Sequence, residues 1–187
     1  MTGPDAAGKK AGRTIGKTAE KYLEQVLTEY LTGRPAPEMH LAAFDYGHKW
    51  EQEAREVFED RTGLNVDVVG FIQHQELPRV GCSPDGLIGD TEGLELKCPI
   101  NWENHTHNLL TREVPPEYMA QVQGAMWVTK RSRWYFASYC PYIQEPALRM
   151  VIVPVERDEE FIGRLEAAVT RFVTVLLQSI QELSGRC

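Results

Sequence analysis

The most constraining feature of this 187-residue sequence is the stretch from Gly81 to Pro99, in which glycines and acidic residues separate two short segments. The second segment, Leu94 to Cys98, alternates apolar and charged residues. Because the side chains of a strand point alternately to opposite faces, Glu95 and Lys97 share one face. Residues 89–93 have the Gly and Asp content of a hairpin loop, which would pair the strand leaving Asp85 with the strand that carries Glu95. The stretch therefore predicts a hairpin that brings all three charged side chains to one cleft.

These groups suit the hydrolysis of a phosphodiester. The carboxylates of Asp85 and Glu95, with the carbonyl of Leu96 on the same strand, form an all-oxygen ligand set for a hard divalent ion such as Mg²⁺. Beside that ion, Lys97 can orient or deprotonate the attacking water, or neutralise charge that develops on phosphorus. An isolated Glu-x-Lys is usually the solvated face of a half-buried strand. Its position at hairpin distance from a Pro-Asp-Gly turn favours the metal site.

Two strings in this stretch resemble a known nuclease family. Pro84-Asp85 followed by Glu95-Leu96-Lys97 resembles the signature of the PD-(D/E)XK nuclease superfamily. Residues 82–87 and 93–99 are similar to its lambda-type exonuclease and YqaJ-type viral recombinase branch. The resemblance implies an α/β fold with a central mixed β-sheet flanked by helices, a restriction-endonuclease-like core. It also implies two Mg²⁺ ions, replaceable by Mn²⁺, held by Asp85, Glu95, the Leu96 carbonyl and Glu51.

The composition limits the classes of protein to which this chain can belong. No apolar run approaches the thickness of a bilayer and the first residues lack the apolar stretch of a signal peptide, so we expect a cytoplasmic protein without membrane contact. Four cysteines form no C-x-x-C pair, which argues against a zinc site or an iron–sulfur cluster. The net charge of −7 disfavours DNA binding unless basic groups are concentrated in one channel and metal ions add positive charge. We expect a flexible N-terminal segment over 1–13 and a single nuclease domain over 14–187.

Hydrophobic periodicity predicts alternating helices and strands. Four-residue apolar steps are typical of amphipathic helices, and short β-branched runs between turn residues indicate strands. The predicted helices span 14–32, 40–61, 115–129 and 157–183, and the predicted strands span 65–74, 79–82, 134–140 and 148–155, the last buried on both faces.

Glu51 is a further acidic candidate on the second predicted helix. It shares one face with Gly47, Ala54 and Phe58, where a buried carboxylate would need a partner such as a metal ion. The pattern alone equally allows an exposed Glu51 paired with Arg55 four residues on. Residues 46–51 resemble the helix that gives lambda-type exonucleases another acidic site residue, and the resemblance implies that role for Glu51.

Gln121 is the amide candidate on the helix that begins with Pro115-Pro116. A glutamine on a mostly apolar stripe is usually a core amide bonded to backbone. Residues 118–123, however, are similar to the glutamine-bearing helix of lambda-type exonucleases. That resemblance implies that Gln121 helps to place the attacking water beside Lys97, and it leaves Gln123 unassigned.

Two polar clusters lie outside the set of candidate site residues, and each allows both a functional and a structural interpretation. Lys130, Arg131 and Arg133 form the densest basic cluster, which suits contacts to DNA phosphates but is also typical of a solvated turn. His105 and His107 lie in a polar segment for which we expect a loop, where they could bind a soft metal only with a third ligand.

The resemblance implies a function for the whole chain. Lambda-type enzymes digest one strand of duplex DNA 5′-to-3′ from its end, leave a 3′ single strand, assemble as ring-shaped homotrimers and act with a single-strand annealing protein. Residues 1–21 do not match the Arg and Ser motif with which those enzymes contact a 5′ phosphate, so that preference is not carried over. The rival interpretations are a PD-(D/E)XK endonuclease, an exonuclease of other polarity and a non-catalytic DNA-binding subunit. A Cas4-like enzyme is disfavoured because the cysteine quartet is absent.

Overall fold

The computed structural model describes residues 15–35 and 42–185, with only the backbone of residues 42–44. The described residues fall into two compact units, one from residues 42–165 and one from residues 15–35 together with 166–185. The single domain expected over 14–187 stays a prediction, and the flexible segment expected over 1–13 lies outside the described residues. Within the described ranges, no helix is both long enough and apolar enough to cross a membrane.

The described residues form five α-helices, six strands and one short 3₁₀-helix, Pro146–Leu148. The helices are α1 (Lys17–Thr32), α2 (Ala42–Thr62), α3 (Trp102–Thr111), α4 (Pro116–Thr129) and α5 (Glu159–Ser184). The strands are β1 (Ile72–Gln73), β2 (Gly81–Cys82), β3 (Gly86–Ile88), β4 (Glu92–Lys97), β5 (Arg133–Tyr139) and β6 (Met150–Glu156).

The main sheet has the strand order β3-β4-β5-β6 and is mixed. β4 runs antiparallel to β3 and parallel to β5, and β6 runs antiparallel to β5. The parallel pair needs a crossover, which α3 and α4 supply. Gly93 on β4 lies against the Trp134 ring, where a Cβ would come within 2.3 Å of the indole, so this close strand packing requires glycine. The mixed sheet predicted from the sequence is confirmed.

Helices cover both faces of this sheet. On one face, Ala54 and Phe58 of α2 pack with Leu94 and Leu96 of β4. On the opposite face, α4 packs against β5 through the buried residues Val122, Met126, Trp134 and Phe136. Because Leu94 and Leu96 take the α2 face, strand alternation sends Glu95 to the α4 face.

The second unit pairs α1 with the C-terminal part of α5. Its buried core contains Leu23, Val175 and Leu176, and the rings of Tyr22 and Phe172 stack with centroids 5.4 Å apart. α1 ends at Gly33, which adopts φ 63° and donates its backbone N–H to the Glu29 carbonyl. The amphipathic helix predicted over 14–32 is therefore confirmed within the described residues.

Three sequence predictions of local structure are wrong in part. Residues 65–74 form no continuous strand but only a bridge from Asp67 to Leu87 and the two-residue β1, because exposed Val68 and Phe71 have no partner strand. The polar segment after Asn101 is a helix, not a loop, since the Asn101 side chain caps it by accepting from the Glu103 N–H. β6 is fully buried only at Met150 and Val151, so it is not covered on both faces throughout.

Candidate active site

The β3–β4 hairpin brings Asp85 beside the strand that carries Glu95. Gly86 pairs with Leu94, so Asp85 lies just before β3 begins, beside the part of β4 that continues past this pairing. There the Oδ2 of Asp85 accepts a hydrogen bond from the Leu96 N–H at 2.6 Å. The carboxylate thus satisfies a backbone donor that would otherwise lack a strand partner. The predicted convergence of the two acids is present in the structure.

Glu95 and Lys97 lie on the same face of β4, as alternation predicts. The Nζ of Lys97 lies 2.5 Å from the Oε1 of Glu95, and it also sits over the ring of Tyr118, 4.9 Å from the centroid. Tyr118 is on α4 and stacks on Phe136, with centroids 5.5 Å apart. Glu95 is only 2% exposed, whereas Lys97 reaches the cleft. The ammonium is therefore held between a buried carboxylate and an aromatic face.

Burial and the charges of neighbouring carboxylates raise the pKa values of both acids. The pKa of Glu95 is raised to about 7: loss of solvation is the largest cause, the charge of Asp85 adds to the rise, and Lys97 opposes it. Burial also raises the pKa of Asp85, with a smaller rise from Glu51, while the Leu96 N–H and Lys97 oppose it. Desolvated carboxylates that repel each other create a negative potential that a cation would relieve.

Glu51 is paired with Arg55 and also lines the cleft, while its role toward a metal ion stays a prediction. Its Oε1 accepts from Nη2 of Arg55 at 2.8 Å, and its Oε2 lies 3.3 Å from Nδ1 of His48. The same side chain lines the cleft with Asp85 and Lys97. Glu51 is thus both paired along its helix and placed at the candidate site.

The cleft has a volume of about 390 Å³ and is lined by residues of four parts of the chain. Among the described residues, no three His, Cys, Asp or Glu side chains are grouped closely enough to hold a metal on their own. This donor set fits Mg²⁺, which usually takes one or two carboxylates and completes its octahedron with waters and substrate phosphates. The fit rests on Asp85 at the cleft wall and on the buried, mutually repelling charges of Asp85 and Glu95.

The two glutamines of α4 have different surroundings. Gln121 is exposed and lies one helical turn beyond Tyr118, which lines the cleft. Gln123 is the buried amide: its Nε2 donates to the Glu156 carbonyl and its Oε1 accepts from the Asp158 N–H, both at 2.9 Å. The sequence pattern favoured a core amide bonded to backbone at Gln121, but in the structure that amide is Gln123. The role of Gln121 in placing the water stays a prediction.

The basic cluster after α4 has partners within the chain. Nη1 of Arg131 donates to the carbonyls of Ile88, Gly89 and Glu92, which fixes the hairpin loop. Arg133 pairs with the carboxylates of Glu92 and Glu156, and exposed Lys130 donates to Gln75. Arg131 therefore holds the β3–β4 hairpin, and DNA contact by the three residues stays a prediction.

His105 has a structural role. It is fully buried, with Nδ1 2.8 Å from the Ser138 Oγ and Nε2 3.0 Å from the Leu148 carbonyl. Both ring nitrogens are thus engaged, while His107 is exposed on the same helix. The two histidines do not form a shared metal site.

Solved structures define the class of this fold. The crystal structure of an alkaline exonuclease, LHK-Exo from Laribacter hongkongensis, matches with a TM-score of 0.85 and 31% identity, covering 93% of this chain and 87% of that one. LHK-Exo in complex with dAMP matches with a TM-score of 0.85 and 32% identity, over 92% and 87%. A phage-related exonuclease from Haemophilus somnus 129PT shares the fold, with a TM-score of 0.72 and 17% identity over 90% and 85%. The chain therefore has the PD-(D/E)XK-like α/β fold of these exonucleases.

Sequence comparison then identifies the family. The profile described as the YqaJ-like viral recombinase domain matches residues 5–132, so the chain belongs to this family. The Escherichia coli K-12 protein ExoD is 36% identical over 66 residues, which cover 35% of this chain and 74% of that protein. The matched range contains all five site residues predicted from the sequence, Glu51, Asp85, Glu95, Lys97 and Gln121, and it ends before Arg133.

Proposed function

We propose that this protein is a metal-dependent DNA exonuclease that hydrolyses phosphodiester bonds at the ends of duplex DNA. The observation that carries the proposal is that Asp85 and Lys97 line one cleft, while Lys97 pairs with the buried carboxylate of Glu95, whose pKa is raised to about 7. Two structural relatives are described as exonucleases, and LHK-Exo has been crystallised with the nucleoside monophosphate dAMP. Such a ligand matches the product expected from stepwise cleavage of DNA.

In this proposal the acidic residues hold the ions. Asp85, Glu95 and the Leu96 carbonyl would bind Mg²⁺, with Mn²⁺ as a substitute, and Glu51 would serve a second ion or its waters. Mg²⁺ bound there would supply Lewis-acid stabilisation and a more acidic water. Glu95 is almost fully buried and Asp85 is anchored to the Leu96 N–H, so neither carboxylate needs to be ordered when an ion binds.

Lys97 is the residue that we assign to the reacting groups. Its Nζ is already fixed between Glu95 and the Tyr118 ring, at the wall of the cleft. From that position it can orient the attacking water or neutralise charge on the phosphoryl oxygens. Gln121, one turn along α4 from Tyr118, is our candidate for placing the same water, and Lys130, Arg131 and Arg133 are candidates for phosphate contacts.

The family resemblance extends the proposal to biology. We propose digestion 5′-to-3′ that leaves a 3′ single strand for recombination by strand annealing. We also propose a ring-shaped homotrimer around the duplex, a single-strand annealing protein as partner and a cytoplasmic location. Enclosure of the duplex would let a chain of net charge −7 stay on DNA without a large basic surface.

Cleavage of matched DNA substrates tests the proposed function. The full-length protein is incubated with Mg²⁺ and either a blunt linear duplex or a closed circular duplex of the same sequence. We expect the linear DNA to be degraded to nucleotides and the closed circle to resist. Cutting of both would indicate an endonuclease, and cutting of neither would indicate a non-catalytic subunit. Duplexes labelled at one 5′ or one 3′ end then give the polarity.

A further inference from the structure

Four aromatic side chains form a cluster outside the carboxylate site. Tyr46 and Trp50 of α2 meet with ring centroids 6.4 Å apart, and Trp50 meets the edge of Tyr142 at 5.8 Å. Tyr142 in turn faces Trp102, the first residue of α3, at 4.9 Å and an interplanar angle of 33°. The rings therefore form a continuous row from α2 to the start of α3.

The outer end of this row is exposed. Trp102 is 51% exposed and Tyr142 is 50% exposed, whereas Trp134 and Phe136 of the core are fully buried. Two large rings that rest on each other and remain half open are not needed to close the core. An exposed aromatic pair of this kind offers a π-face to a flat ligand.

The row adjoins the candidate active site. Trp50 directly precedes Glu51, and Trp102 directly follows Asn101, and both Glu51 and Asn101 line the cleft. A cationic group is also present, because Nζ of exposed Lys49 lies 4.7 Å from the centroid of the Trp50 ring. The surface beside the cleft thus combines open aromatic faces with a positive charge.

We propose that Trp102 and Tyr142 form a platform on which an unpaired base of the DNA strand stacks next to the cleft. The inference rests on the proposed function, because removal of a nucleotide from one strand at a duplex end leaves the opposing base unpaired. An aromatic face accepts any base, so such a platform suits an enzyme that digests DNA of every sequence. Lys49 supplies the accompanying phosphate contact.

Binding of two single strands that differ only in their bases tests the platform. The probes are a 15-nucleotide oligothymidylate and an abasic strand of the same length, measured in EDTA to prevent cleavage. The variants are Trp102→Leu, which keeps apolar volume without a ring, and Trp102→Phe, which keeps a ring. Leu110→Ala is the matched control, since Leu110 lies on the same helix and is 81% exposed. Thermal unfolding of each variant confirms that it is folded.

The expected result is a loss that depends on both ring and base. Trp102→Leu should weaken oligothymidylate binding about tenfold and abasic binding by less than about twofold, whereas Trp102→Phe and Leu110→Ala should stay near wild type. Equal weakening of both probes, or no weakening of either, would overturn the platform. Wild-type degradation of linear duplex is scored separately: if it occurs while Trp102 proves indifferent, the platform alone is wrong. If no degradation occurs, the proposed function is wrong whatever the probes show.

Discussion

The carboxylate of Asp85 accepts the backbone N–H of Leu96 at 2.6 Å, on the strand that also carries Glu95 and Lys97. This bond fixes Asp85, the residue before β3, to the strand that carries Glu95. Since the pairing is local, the geometry of the site depends on the hairpin more than on distant packing. Two of the helices, α2 and α4, then complete it by delivering Glu51 and Tyr118.

Lys97→Ala tests the role assigned to the amine. The variant should fold and should still bind the divalent ion, but its turnover of linear duplex should fall by at least about 10²-fold because the positive charge at the phosphoryl group is lost. Lys17→Ala, which removes an exposed lysine of α1 in the other unit, is the control and should cleave at the parental rate. Near-parental cleavage by Lys97→Ala would show that Lys97 is misassigned.

Glu95→Gln tests the electrostatic cost of the site. The pKa of Glu95 is raised to about 7, above its ordinary value of 4.5, so the folded state holds this proton more tightly than the unfolded chain does. The stability that results is lost as the pH rises from about 4.5 to about 7. In chelator at pH 8, Glu95→Gln should therefore be more stable than wild type by up to about 3 kcal/mol, and the gain should vanish at pH 4.5. The variant should be inactive at every pH.

Denaturant unfolding in EDTA at both pH values measures this difference. Glu166→Gln, at an exposed position of α5, is the control and should change stability little at either pH. A Glu95→Gln variant that is less stable than wild type at pH 8 would contradict the account, because it would mean that the ionised carboxylate stabilises the apo protein.

His105 is expected to make the protein sensitive to mild acid. Burial lowers the pKa of His105 below 6.5, so the unfolded chain takes up the proton first and stability falls as the pH drops below that value. His105→Gln should unfold more easily than wild type at pH 8, where the bonds to Ser138 and Leu148 matter, but should lose less stability between pH 7 and pH 5. His107→Gln on the exposed side of the same helix should retain the wild-type slope. An unchanged slope in His105→Gln would locate the acid sensitivity elsewhere.

Arg131→Ala separates a structural role from a DNA contact. Its guanidinium donates to three carbonyls of the hairpin and its loop, so its loss should destabilise the protein by about 1–3 kcal/mol. Lys130→Ala, which removes an exposed side chain bonded to Gln75, should cost less than about 1 kcal/mol. If Arg131 also neutralised a phosphate, its removal would reduce the number of counterions released on DNA binding by about one, which lowers the slope of affinity against salt concentration. Unfolding curves and binding at several salt concentrations measure both effects.

The sequence was most informative where structure is local. The hairpin follows from glycines, aspartate and period-two alternation within residues 81–99, and the structure has the predicted pairing of β3 with β4. The helix of Glu51 was also readable, although only family resemblance favoured a site role over the pair with Arg55. Local pattern and motif thus sufficed to place Asp85, Glu95 and Lys97 together.

Other elements could not be predicted because their burial breaks the usual patterns. The buried face of α3 carries His105 and Asn108, so the sequence shows no apolar stripe there and its polar pattern predicts a loop. α4 is buried on most sides, and Gln123 is among its buried residues. Hydrophobic periodicity therefore could not tell whether Gln121 or Gln123 faces the core. The aromatic row joins α2, α3 and the turn after β5, and only tertiary packing brings these segments together.

The central claim is that Asp85 and Glu95 hold a divalent cation within reach of Lys97. Anomalous diffraction from crystals of the full-length protein grown with Mn²⁺ tests it most directly. The account predicts an anomalous peak from a Mn²⁺ ion bound by both carboxylates at the wall of the cleft. The peak should be absent from crystals of Asp85→Asn. A well-ordered site with no peak between Asp85 and Glu95, or with the two carboxylates turned apart, would contradict it.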